Sequence, residues 1–328
     1  MNSGRIFAVD GTKINLPRQL LNCSYRTPSE SSHYPQGLVS CLYELKSKIP
    51  IDFDLSSHRD ERKMALNHLN ASNKDDIVVY DRGYFSYLML YTHYKKGIHA
   101  VFRLPTNSFK IIDEFMESTD TDRVVIIKLT VRCRNKIRKQ HPEVEFIPLS
   151  LRLIKYVVGG VTYTIGTTLI DDQQYNATEF PDIYHSRWGI EELYKISKVL
   201  IDIEDFHGQT ERGVKQELFA HFVLITFSRI FTNHTDDILM LNKKSNNTSA
   251  VKVNFKNCLT TVARNLEVLF LQQAQRVKET ICSIINLVST CKQAVRLNRS
   301  YKRESKKVIS NWTPPTSKKK LAMPAAAT

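Results

Sequence analysis

Ile77-Val78-Val79-Tyr80 is an unbroken apolar run between Asp75-Asp76 and Asp81, and it has no polar face. A strand of that kind is buried on both sides, so it needs a sheet covered by helices above and below. The neighbouring sequence supplies such elements. Arg5–Val9 reads as a short buried strand with Asp10 at or near its end. Leu38–Leu45 and Ile51–Leu55 read as two more strands, linked by Lys46-Ser47-Lys48 and Pro50, which suit a turn. Asp60–Leu69 has Met64, Ala65 and Leu69 at helical spacing, Tyr84–Lys95 is a second helix, and His99–Leu104 a fifth strand. The order is three strands, helix, strand, helix, strand, an α/β arrangement. Asp81 sits at the C-terminal end of its strand, where open α/β sheets place ligand-binding groups.

Residues 105–176 break this pattern. Val124–Val131, Leu151–Val158 and Val161–Leu169 are β-rich, and Gly159-Gly160 predicts a hairpin turn between the last two. Between these strands lie Arg132, Arg134, Lys136, Arg138 and Lys139. Such a cluster is either a contact to a nucleic-acid backbone or a solvated hairpin tip. Thr178 is a candidate N-cap with Pro181 in the first turn, predicting a helix to about Leu200. Glu211–Phe231 and Leu266–Val288 read as further helices.

The helix from Thr178 carries Tyr184, Arg187, Glu191 and Lys198, at offsets of three, seven and fourteen. At roughly 100° per residue these fall within about 60° of arc. Ile190, Leu193, Ile196 and Leu200 take the opposite side. One face can therefore pack on a core while the other presents a carboxylate, two cations and a phenol. That face suits a cation-bound phosphodiester, or it is a solvated face with internal ion pairs. Lys195 lies close to it, and Trp188 is expected to pack at its edge.

The spacing Y-(2)-R-(3)-E-(6)-K, the context Phe-Ala-Val-Asp10-Gly11-Thr12 and the context Ile-Val-Val-Tyr-Asp81-Arg82-Gly83-Tyr84 together resemble the DDE transposases of the bacterial insertion-sequence-four family. The resemblance runs from about residue 5 to about residue 230, with a weaker echo in Ser300-Tyr301-Lys302-Arg303. It implies a ribonuclease-H-like core: a mixed five-stranded sheet with helices, interrupted by a β-rich insertion and followed by a helical basic C-terminal region. The implied division is 1–104 and 177–232 for the core, 105–176 for the insertion and 233–328 for the C-terminal region. Asp10, Asp81 and Glu191 become the catalytic acids and the metal ligands. Tyr184, Arg187 and Lys198 become contacts to phosphates near the cleaved end, with Lys195 and Arg82 as weaker candidates. The implied partners are double-stranded DNA, as transposon ends and target, and a second copy in a synaptic homodimer. The implied chemistry is nicking, hairpin formation and opening, then strand transfer.

Three hard oxygen acids without Cys or His point to two Mg²⁺ ions about 4 Å apart, with Mn²⁺ as a substitute. No protein nucleophile is needed, and no Gly-x-Ser-x-Gly is present. A glycosidase pair of carboxylates fits less well, because the Arg and Lys stripe prefers an anion. The net charge of +14 also favours a polyanion. Ten basic residues and one acid between Lys292 and Lys320 supply nine of those charges, and Ala322–Thr328 reads as low-complexity sequence. Six scattered cysteines without a CxxC pair fit a reducing compartment, a bacterial cytoplasm with its nucleoid. No apolar run is long enough to cross a membrane.

Two departures from the family frame an alternative. Asp10 lies ten residues from the start, so the helical DNA-binding region that usually precedes that strand is expected to be missing. Some members set an insertion tryptophan against a flipped base, whereas here the tryptophans are Trp188 and Trp312. The alternative is a truncated, non-catalytic remnant that binds DNA or a full-length partner and inhibits transposition.

Overall fold

The computed structural model describes residues 4–58, 60–105, 109–241 and 250–295. In chain order the main elements are β1 (Ile6–Asn15), β2 (Gln36–Glu44), β3 (Ile49–Ser56), α1 (Glu61–His68), β4 (Ile77–Tyr80), α2 (Tyr87–Lys96) and β5 (His99–Arg103). There follow α3 (Lys110–Glu117), β6 (Asp122–Ile127), α4 (Val131–Gln140), β7 (Leu149–Val158), β8 (Val161–Thr167), α5 (Phe180–Ser186) and α6 (Trp188–Val199). The rest is α7 (Glu211–Leu241), β9 (Val251–Val253), α8 (Phe255–Leu271), α9 (Ala274–Thr290) and β10 (Lys292–Ala294).

The chain divides into two compact units, Met1–Thr12 with Leu38–Ile196, and Lys13–Gly37 with Ser197–Thr328. The first is built on a mixed sheet in the order β3-β2-β1-β4-β5-β8-β7-β6. All four side chains of β4 are buried, as its apolar run requires. Val78 and Tyr80 join a core with Ala65 of α1, Leu90 of α2 and Ile112 of α3. Ile77 and Val79 join a second core with Phe180 and Tyr184 of α5. Successive residues thus serve opposite faces, giving helix, sheet and helix layers.

The sheet has eight strands rather than five. Strands of the 105–176 stretch continue it instead of forming a separate layer. β5 would otherwise be an edge with unpaired backbone groups. β8 covers that edge antiparallel, with Val101 opposite Thr167 and Arg103 opposite Ile165. The hairpin turn falls where Gly159-Gly160 predicts it, with φ of 57° and 79° at the two glycines.

Several boundaries differ from the sequence expectation. β1 runs on to Asn15, so Asp10 is within a strand and not at its end. The sixth strand stops at Ile127, and Val131 opens α4 behind Thr130, whose hydroxyl accepts from the Cys133 N–H. The basic cluster is therefore helical and not a hairpin tip. The helix expected from Thr178 to Leu200 is divided. A 3-10 turn over Ala177–Glu179, capped by Asn176, leads into α5, and α6 starts after Arg187.

In the second unit α7 extends to Leu241, and the helix expected over Leu266–Val288 is instead the pair α8 and α9. Folding back at residues 272–273 lets Val262 of α8 and Ile284 and Val288 of α9 share one core with Phe231 of α7. One continuous helix could not bury both faces. The basic stretch beyond Val295, Trp312, Ser300–Arg303 and Ala322–Thr328 lie outside the described residues, as do Ser245–Ser249.

Arg152 is the largest fully buried side chain. Its Nε and Nη2 donate to the two Asp122 carboxylate oxygens at 2.9 and 2.5 Å, and Nη1 to the Tyr175 carbonyl at 2.7 Å. This ties β7 to β6 and to the loop that leads into α5. The Asp122 end of the pair is partly exposed, so water solvates that carboxylate once the guanidinium is gone. Arg152→Met should cost about 1–3 kcal/mol, from the lost charged hydrogen bonds and the Tyr175 carbonyl left without its donor, read as a lower urea midpoint. An unchanged midpoint would show that the fork adds nothing to the sheet.

Candidate active site

β1 and β4 are parallel neighbours, with Ile6 opposite Ile77, Phe7 opposite Val78 and Ala8 opposite Val79. The paired register ends at Ala8 and Val79, so Asp10, farther along β1, and Asp81, the first residue after β4, both lie beyond it at the same end of the pair. The alternation also decides which way they face. Phe7, Val9, Val78 and Tyr80 belong to the core under α1, α2 and α3, so the residues between them serve the other face. Ile6, Ile77 and Val79 do so already, packed with Tyr184. Asp10 and Asp81 continue that set toward α5 and α6.

These helices bring three signature residues to the same place. The Tyr184 hydroxyl donates to Asp81 Oδ1 at 3.1 Å. Arg187 Nη2 donates to Glu191 Oε1 at 2.7 Å, and its Nη1 lies 3.8 Å from Asp10 Oδ2. Arg187 also stands over the Tyr184 ring, 5.8 Å from its centroid. The tightening at Arg187, where both Arg187 N–H and Ile190 N–H bond three residues back, separates α5 from α6. Ile190 and Leu193 are fully buried, as expected of the opposite side of α6.

The other candidates are placed differently. Lys195 is paired with Glu192 at 3.3 Å. Lys198 belongs to the second unit, where it donates to the Lys13 carbonyl at 2.6 Å and lies 4.0 Å from Glu204. Arg82 is exposed in the 3-10 turn that follows Asp81. On α4, which has no buried residue, Arg132, Lys136, Arg138 and Lys139 are exposed, and Arg134 donates to the Leu129 carbonyl.

Burial pushes the Asp10 carboxyl up to about 6. The Arg187 charge and the Gly11 N–H oppose that rise, while Glu61 and Glu191 add to it. Burial also works against the Arg187 charge, but Tyr184, Asp10 and Glu191 outweigh it. Among the described residues no three His, Cys, Asp or Glu side chains stand ready around one ion. The positive charge between Asp10 and Glu191 is instead the guanidinium. The donors still fit a hard divalent cation. They are all carboxylate oxygens, one on β1 and one directly after its neighbour β4, and the buried Tyr84 hydroxyl nearby has no hydrogen-bond partner.

The sequence motifs assign no role to four features beside Asp10 and Asp81. Glu61 opens α1 and acts electrostatically on Asp10. Tyr84 is buried within reach of Asp10 and Glu61, and the Tyr194 hydroxyl donates to the Asp10 carbonyl at 2.6 Å. The fourth is a pocket of about 420 Å³ lined by Asp81, Arg103, Tyr156, Tyr163, Tyr184 and Trp188. Tyr156 and Tyr163 stack at 5.4 Å, and Arg103 lies 5.0 Å from the Tyr163 ring centroid. The signal for the tyrosines was in the hairpin, since a turn at 159–160 makes 156 and 163 cross-strand partners. Trp188 is 55% exposed, with the tilted His185 ring 4.7 Å away, so it is a pocket residue and not the packing residue expected.

One further array mimics a hydrolase. His68 lies between Asp52, at 2.7 Å, and Ser40, at 3.0 Å. Ser40 is completely buried on β2, so no substrate reaches it. The chain of bonds anchors the end of α1 to β2 and β3.

Among the described residues, no helix is long and apolar enough to cross a membrane. The family model described as a transposase DDE domain matches residues 2–227. The transposase InsG for insertion sequence element IS4, from Escherichia coli strain K12, is 21% identical over 290 residues, which is 88% of this chain. The chain spans 63% of that relative's length. A solved piggyBac transposase synaptic complex with hairpin DNA aligns to the whole chain and 64% of its own, with 10% identity and a TM-score of 0.46. With its model matched over most of its length, the chain belongs to the DDE-domain transposases, of the insertion-sequence-four type.

Proposed function

We propose that the protein cleaves insertion-sequence ends and joins them to target DNA, with Asp10, Asp81 and Glu191 as the catalytic acids. The observation that carries this is the convergence of all three on one face of the sheet, linked through Tyr184 and Arg187. The same three residues would hold two Mg²⁺ ions, or Mn²⁺ in their place. When bound, such ions activate the attacking oxygen and stabilise the leaving oxygen of an in-line displacement at phosphorus.

The chain's own residues do the rest. Arg187 neutralises Asp10 and Glu191, and with a cation bound to those acids its fork would be available to a phosphate. Tyr184 holds Asp81 in one orientation by its hydroxyl. Arg82, Lys195, Lys198 and the cations of α4, Arg132, Arg134, Lys136, Arg138 and Lys139, are assigned to the DNA backbone. Stacked rings beside Asp81 suit an unstacked nucleotide next to the scissile phosphate. Tyr156 and Tyr163 there offer what an insertion tryptophan offers in other members. A second copy completes the synaptic complex. As a functional division we keep a core of 1–104 and 177–232, with 105–176 inserted and 233–328 as the C-terminal region; it cuts across the compact units, since residues 13–37 and 197–232 pack in the second unit and the strands of 105–176 continue the sheet of the first.

Incubation of the protein with a plasmid carrying the element ends and Mg²⁺ should give nicked and excised DNA. Asp10→Asn, Asp81→Asn and Glu191→Gln should each abolish both products while still binding the ends. Binding by the unmutated chain without any cleavage would favour the inhibitor instead.

Two more outcomes follow from the site. Tyr156→Ala and Tyr163→Ala should each weaken binding to ends with an unpaired terminal base by about 1–3 kcal/mol in a fluorescence titration, and barely affect fully paired DNA. Equal losses on both would remove the stacking role. Asp10 has a folded value of about 6, above its ordinary 3.8, so the folded state favours its protonated form. Metal-free stability should therefore fall as pH rises from about 4 to about 6 and stay lower above that, by roughly 2–3 kcal/mol at about 1.4 per unit. Asp10→Asn should melt higher than the parent at pH 7.5 without metal, and lose that advantage near pH 4. A parent that melts higher than Asp10→Asn throughout would refute this assignment.

A further inference from the structure

α1 is fastened at both ends beside the acids. At its start the Asp60 carboxylate accepts from the Lys63 N–H at 3.1 Å, and Arg62 Nε donates to the Gly83 carbonyl at 2.7 Å. Gly83 belongs to the turn that directly follows Asp81. At its end, His68 is held by Asp52 and Ser40. Glu61, the first residue of α1, is thereby fixed over the strand residue next to Asp10.

Gly11 makes that approach close. A Cβ at Gly11 would lie 3.4 Å from Glu61 Cγ, 3.6 Å from Glu61 Cδ and 3.0 Å from Leu38. The Glu61 side chain therefore lies against β1 beyond the end of its pairing with β4, beside Asp10. A second, independent feature lies at the same place. The Tyr84 hydroxyl is buried, has no hydrogen-bond partner, and is within electrostatic reach of both Asp10 and Glu61. A buried phenol without a partner is costly, and it marks a place where a ligand or its water is held.

We propose that Glu61 is a fourth acidic side chain of the cation site, on the α1 side of Asp10, and that Tyr84 donates a hydrogen bond to the ligand shell there. Glu61 approaches over Gly11, opposite to Glu191, which comes from α6. The two glutamates thus flank Asp10 from different layers of the fold. This assignment rests on Asp10 being a metal ligand, as proposed above.

The test is Mn²⁺ binding to the full chain without DNA, by calorimetry, for the parent, Asp10→Asn, Glu61→Gln and Tyr84→Phe, with circular dichroism on each. Glu61→Gln should fold, melt no lower than the parent without metal, and bind Mn²⁺ about tenfold or more weakly. Tyr84→Phe should weaken Mn²⁺ in the same direction. Loss of binding in Asp10→Asn with parental affinity in Glu61→Gln overturns the Glu61 assignment and leaves the three-acid reading standing. No Mn²⁺ uptake by the parent, or full uptake by Asp10→Asn, removes both. If Glu61→Gln does not fold, Glu61→Asp is measured in its place. It keeps the charge on a shorter arm, so weaker binding is again expected and parental affinity overturns the proposal.

Discussion

The parallel pairing of β1 with β4 governs everything that the first unit places near Asp10. Parallel neighbours share direction, so two acids written seventy-one residues apart, each just past the paired stretch, come to the same end of the β1–β4 pair. A slip of one residue would send one carboxylate into the opposite core, because side chains alternate across a sheet. Burial of β4 on both faces forbids that slip. Val78 and Tyr80 belong to one core, Ile77 and Val79 to the other. The register of the acids is therefore enforced by hydrophobic packing, not by the acids themselves, which repel.

That repulsion is managed by one side chain. Arg187 is nearly buried and faces both Asp10 and Glu191, while the phenol of Tyr184 orients Asp81. The one-residue break between α5 and α6 falls at Arg187. The residues that carry the signature spacing are thus split between two short helices, with the guanidinium at the joint.

Much of this was readable from residues alone, and the reasons differ by element. β4 was legible because four consecutive apolar residues leave a strand little choice. The Gly159-Gly160 turn was legible because two glycines at positive φ suit a two-residue hairpin. The eight-stranded width was not, since nothing in the hydropathy of Val161–Thr167 states that its partner is β5. The division of the Leu266–Val288 pattern was hidden as well. Both halves carry helical spacing, and only the shared core of α7, α8 and α9 shows why the chain must turn. Asp10, Asp81 and Glu191 were found through motif contexts. Glu61 was not, because a glutamate at a helix start has an ordinary explanation in the helix dipole. Its neighbourhood emerges only when Gly11 and α1 are seen together.

The bond from the Tyr194 hydroxyl to the Asp10 carbonyl joins residues 184 positions apart. Strand β1 leaves the ribosome well before α6, the helix that closes over it and is among the last parts of the first unit to emerge. At typical translation speeds, roughly ten to forty seconds separate the two events. Through that interval a growing polypeptide carries Asp10 without the guanidinium of Arg187 and Asp81 without the phenol of Tyr184. The cluster around Asp10 is therefore incomplete on every chain that has not yet been made as far as α6.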